Sequence, residues 1–101
     1  MSIRRADIEE LRAAARRIAV IAEDYRSEYT AMYGVIEDNL RYVWVGTDSD
    51  SFVENVQGVK HKFKSMYDTM KDYEQFLYRV ADKYEEQIRR MEEQARRIKF
   101  K

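Results

Sequence analysis

Proline is missing from all 101 residues, cysteine is missing too, and glycine occurs only three times. Without proline, no helix interior loses an N–H or meets a ring clash, so long uninterrupted helices are allowed. Without cysteine, disulfides and thiolate metal sites are excluded. Long apolar runs are also missing, and none approaches the roughly 20 residues that a membrane-spanning helix needs. The opening Met1-Ser2-Ile3-Arg4-Arg5-Ala6-Asp7 is basic and then amphipathic, without the apolar segment of a signal peptide. Any export is therefore expected to bypass a cleaved signal peptide. Charge excess of one sign is absent as well. Nineteen Lys/Arg balance nineteen Asp/Glu, which argues against nucleic-acid binding, because phosphate neutralisation needs surplus cations.

What is present is helical patterning. Hydrophobic residues make up 45% and charged residues 38%, enough for one small domain with a modest core. So short a chain buries a limited share of its surface, and self-association is a natural way to bury more. Ile8, Leu11, Ala15, Ile18, Ala22, Tyr25, Tyr29, Met32, Ile36, then Asn39 or its neighbour Leu40, then Val43 recur in steps of three and four. That is one apolar stripe on a helix, and Ala14, Ile21, Val35 and Tyr42 widen it. A second stripe runs through Phe52, Val56, Val59, Phe63, Met66, Met70, Tyr73, Leu77, Val80, Tyr84, Met91, Ala95 and Ile98, with Ile88 one residue out of step. Widened stripes suit a bundle in which each helix has two neighbours. The expected architecture is a single all-α domain over 1–101: a helix over about 4–42, a turn over about 43–49 and a helix over about 50–98. The helices would be roughly 55–60 Å and 70 Å long at the α-helical rise.

Trp44-Val45-Gly46 sits at the break between the patterns. Gly46 can adopt the left-handed conformation that ends a helix. Thr47, Asp48 and Ser49 can each cap the next one, and Ser51 with Glu54 has capping-box spacing. A linker this short makes the helices antiparallel. Gly34 and Gly58 each lie twelve residues from Gly46, which puts them at one level of a hairpin. They mark either a close helix approach or an outward-facing soft spot, and their position off the stripe favours the second. The second helix outlasts the first, so residues 91–101 are expected to project. Glu85–Arg89, Glu86–Arg90, Glu92–Arg96 and Glu93–Arg97 have the i,i+4 spacing of stabilising pairs on an exposed helix.

No catalytic constellation stands out. His61 is the single histidine and lies off the stripe among Lys60, Lys62 and Lys64, without a nucleophile or orienting carboxylate. No His/Asp/Glu set has metal-ligand spacing and no glycine-rich phosphate loop occurs. Neither a cofactor nor a small-molecule substrate is expected. Most of the eight tyrosines, including Tyr25, Tyr29, Tyr73 and Tyr84, fall at core spacing.

A helix, Trp44-Val45-Gly46 at the bend, Phe52 eight residues beyond, and a second helix resemble the WXG (Trp-x-Gly) family over essentially the whole chain. These are the small Esx-type substrates of type VII (ESX) secretion in Gram-positive bacteria and mycobacteria, some of them virulence-associated. The resemblance implies a hairpin that pairs as a homodimer, or as a heterodimer with a WXG paralogue, into a four-helix bundle. The dimer core would then include Leu11, Ile18, Tyr25, Met32, Phe63, Met70 and Leu77. It also implies export by a membrane ATPase machine, cytoplasmic residence before export, and a composite signal. In that signal the bend of one subunit lies near the partner's Tyr-x-x-x-Asp/Glu, here Tyr78-Arg79-Val80-Ala81-Asp82. Trp44, Gly46, Tyr78 and Asp82 are the recognition residues so implied. Two positions depart from the family pattern: Asp48 replaces a small residue, and Tyr78 leaves a longer helical remainder than the motif needs. Tyr78 could instead pack over Ala13-Ala14-Ala15, with Asp82 as surface charge. The functional expectation is a non-enzymatic export substrate or co-export partner. The alternatives are an adaptor for the helical targeting region of a larger secreted toxin, and a cytoplasmic structural coiled coil.

Overall fold

A computed structural model describes the main chain of residues 4–40 and 47–99, and the side chains of 4–38 and 50–98. Trp44 and Gly46 lie outside the described residues. The fold is all-α, two long helices packed as a hairpin. Helix α1 spans Arg5–Val35 and passes directly into a π-helical turn, Ile36–Leu40, and helix α2 spans Thr47–Lys99.

The first turn of α1 is closed locally. The Arg4 N–H donates to Asp7 Oδ2 at 3.0 Å, and the Arg4 carbonyl accepts from the N–H groups of Asp7 and Ile8. Asp7 thus fills the acidic half of a capping box. The backbone N–H of Arg4 holds its carboxyl below the usual range.

The chain divides into two compact units, Met1–Ala19 with Asp72–Lys101, and Val20–Lys71. In the first, Ile8, Ala81 and Ile88 form a buried cluster against which Leu11 and Tyr84 pack. Burial of each isoleucine contributes roughly 1.5–3 kcal/mol. Ala15 and Ala81 are fully buried, and side chains this small permit a short interhelical distance. The antiparallel register is recorded by Arg5 against Glu92 at 2.8 Å and Arg12 against Asp82 at 3.0 Å.

The second unit is built on aromatic rings. Tyr25, Tyr29 and Tyr33 follow at i,i+4 spacing on one face of α1, and Phe63 of α2 enters that row. Its ring centroid lies 5.8 Å from Tyr25, 5.8 Å from Tyr29 and 6.0 Å from Tyr33. Tilted and edge-on pairs like these add about 0.5–1.5 kcal/mol each beyond the area they bury. The Tyr67 hydroxyl donates to Glu23 Oε1 at 2.6 Å, and Lys60 Nζ meets Glu37 Oε1 at 3.3 Å. Tyr33 is buried, and its hydroxyl has no hydrogen-bond partner among the described residues. Burial pushes its phenol pKa up.

Several local features differ from the sequence expectation. The α geometry of the first helix stops at Val35, one residue after Gly34, and the wider π turn follows. Glycine costs a helix about 1 kcal/mol against alanine, so the switch falls where α1 is weakest. Helix α2 starts at Thr47, inside the segment read as a turn. A side chain at Gly34 or Gly58 would meet nothing within 4 Å, so both are outward-facing soft spots. Two of the four expected Glu–Arg pairs form, Glu86–Arg90 at 3.3 Å and Glu93–Arg97 at 3.1 Å. Glu85 and Glu92 turn instead to Arg12 and Arg5 on α1. Tyr73, placed at core spacing by sequence, is 61% exposed.

Candidate interaction site

Tyr78 and Asp82 lie one turn apart on α2, which sets them on the same side of the helix. Tyr78 is half-buried and Asp82 exposed. Asp82 is nonetheless held. One guanidinium nitrogen of Arg12 donates both to Asp82 Oδ1 at 3.0 Å and to a Glu85 carboxylate oxygen. The second terminal nitrogen lies 3.9 Å from Glu9. The Arg12 side chain is only 23% exposed, so three carboxylates converge on one sheltered cation. Its hydrogen bond holds the Glu85 carboxyl below the usual carboxylate range. The Glu85 and Asp82 carboxylates in turn raise the Arg12 pKa. Water screens much of this network, because its carboxylates are largely exposed.

The residues expected to form a dimer core divide by their environment. Leu11 packs on the Ile8–Ala81–Ile88 cluster. Tyr25 and Phe63 pack together within the chain. Ile18, Met70 and Leu77 are half-buried, and Met32 is 39% exposed. Further large apolar side chains stand exposed. In the unit Val20–Lys71 they include Ile21, Val35, Val59 and Met66, and in the other unit Tyr73, Phe76, Met91 and Ile98. On α2 the buried-side row Val56, Phe63, Met70 and the exposed row Val59, Met66, Tyr73 are the two halves of one stripe. The hairpin covers the first and leaves the second.

Two residues with evident structural roles were not singled out by sequence. Arg12 flanks the α1 stripe, and its significance emerges once the register sets it opposite Asp82 and Glu85. Tyr33 lies off the stripe, but the Tyr25–Tyr29–Tyr33 spacing is a signal that could have found it. His61 is exposed on α2. Among the described residues, no group of three His, Asp or Glu could hold a metal ion, and no helix is long and apolar enough to cross a membrane.

Comparison with known proteins agrees with this layout. Residues 4–87 match the WXG100 family, described as proteins of 100 residues with WXG. The chain is similar to Protein YukE of Bacillus subtilis (strain 168), 30% identical over 77 residues, which covers 76% of this chain and 78% of the relative. No solved structure matches. The helical hairpin and a match running from residue 4 to residue 87, which takes in Trp44-Val45-Gly46, make this chain a member of the WXG100 family.

Proposed function

We propose that the chain is a small type VII secretion substrate or co-export partner that acts by protein–protein contact and performs no catalysis. It waits in the cytoplasm and leaves by a route independent of a signal peptide, driven by the membrane ATPase of the machine. The family match over residues 4–87 carries this reading. The exposed half of the α2 stripe supports pairing: Val59, Met66 and Tyr73, with Met32 of α1, offer apolar surface that a second hairpin would cover. Two copies would then form a four-helix bundle. In it, Trp44 and Gly46 at the bend of one copy and Tyr78 and Asp82 of the other would make the export signal. Arg12 would hold Asp82 in a fixed position for that reading.

The test is export from a host carrying the machine. The chain should reach the culture medium with an active ATPase and stay in the cells without one. Trp44→Ala combined with Tyr78→Ala should abolish export while leaving the fold intact by circular dichroism. Export at the normal level by that double variant would overturn the composite signal. If the chain alone stays monomeric and pairs only with the helical segment of a larger secreted protein, it is an adaptor.

A further inference from the structure

A groove of about 510 Å³ in the unit Val20–Lys71 takes no part in the reading above. Arg26 and Tyr29 of α1 line one side, and Lys60, His61, Lys64 and Tyr67 of α2 line the other. The rings hold cations in place: the Arg26 guanidinium lies 5.8 Å from the Tyr67 ring centre, and Lys60 Nζ lies 5.7 Å from that of Tyr33. Arg26 and Lys60 also have carboxylate neighbours, Glu23 at 3.7 Å and Glu37 at 3.3 Å. Lys64 and His61 make no ion pair or hydrogen bond among the described residues. Among the described residues of the lining, Asp68 is the one carboxylate against three permanent cations.

The groove and the exposed apolar row occupy opposite flanks of α2. At about 100° per residue, Lys60, Lys64 and Tyr67 fall on one side of the inward-facing Phe63, and Val59 and Met66 on the other. A second copy seated on Val59 and Met66 would therefore leave the groove open.

We propose that this groove binds an acidic peptide segment of a partner protein. Carboxylates of the segment would sit on Arg26, Lys60 and Lys64, and an aromatic side chain between them would lie against Tyr29 and Tyr67. Lys64, which makes no ion pair among the described residues, gives the sign of the ligand, Arg26 and Lys60 would exchange Glu23 and Glu37 for its carboxylates, and the tyrosine-lined floor gives its apolar component. A nucleic-acid backbone fits poorly, because the chain has zero net charge and the three cations of the lining are too few to neutralise a run of phosphates. Inorganic phosphate would use the cations and leave the aromatic floor unused.

The test is a titration of the full ¹⁵N-labelled chain with a capped pentapeptide, one tryptophan between two pairs of glutamates. Saturable shifts are expected at the amides of Gln57, His61, Lys64 and Tyr67. Lys60→Glu with Lys64→Glu should weaken binding about tenfold or more. The milder Lys64→Gln should weaken it two- to threefold, about half a kcal/mol or a little more. Sedimentation should be unaffected, which separates this site from the pairing face. The proposal is overturned by absent or non-saturable shifts, or by shifts centred elsewhere. It is equally overturned by unchanged affinity in both variants, by equal binding of the glutamine version of the peptide, or by phosphate binding as tightly.

Discussion

The unit Met1–Ala19 with Asp72–Lys101 and the unit Val20–Lys71 are cut from the same two helices yet held together differently. The first has an aliphatic and alanine interior edged by ion pairs across the helices, Arg12 with Asp82 and Glu85, and Arg5 with Glu92. The second has a row of tyrosines closed around Phe63, with cations resting on rings. It also carries Gly34, Gly58 and the π turn. Among the described residues, seven large apolar side chains stand exposed in the second unit against four in the first, so the second has more to gain from a partner. Charge fixes register in one unit, and ring packing fixes it in the other.

The contrast can be broken most forcefully at Phe63. Phe63→Ala removes the ring on which three tyrosines converge. A fully buried phenylalanine would cost about 3–5 kcal/mol, so this half-buried one should cost roughly 2–3. Urea unfolding reads the total. Native-state hydrogen exchange should show the loss concentrated in residues 20–71, and an even loss over the chain would erase the distinction.

The reciprocal change in the other unit is Ala81→Leu. Overpacking a fully buried alanine typically costs about 1–3 kcal/mol, and protection should fall first over residues 5–19 and 72–99. Tyr33→Phe has the opposite sign. It removes a buried hydroxyl that has no partner among the described residues, so the chain should gain about 1 kcal/mol in denaturant. A clear loss would mean that the hydroxyl is satisfied in solution.

The smallest effect sharpens the comparison through pH. The folded Glu85 carboxyl lies below its unfolded value because Arg12 donates to it. The stability it contributes is therefore present above the ordinary carboxylate range and disappears as pH falls through the folded value. Arg12→Gln should flatten the acid dependence of the unit Met1–Ala19 with Asp72–Lys101, and added salt should mimic it. Exchange protection of residues 20–71 should respond to neither.

The two helices were legible because apolar residues spaced three and four apart leave no other regular structure. Which half of each stripe the hairpin covers was not legible. Val56, Phe63 and Met70 look the same by spacing as Val59, Met66 and Tyr73, and only the partner helix distinguishes them. Glu85 and Glu92 show the same limit: each has an arginine four residues on, and each bonds across the hairpin instead. In the candidate site, Tyr78 and Asp82 came from the family resemblance. Arg12 needed the register, because nothing within α1 announces that Asp82 lies opposite.

The composite export signal rests on a second hairpin covering Met32, Val59, Met66 and Tyr73. Sedimentation equilibrium of the purified chain at micromolar concentration tests that directly. The expected result is a single species with the mass of two 12.2 kDa chains. A folded, monodisperse species with the mass of one chain would contradict it.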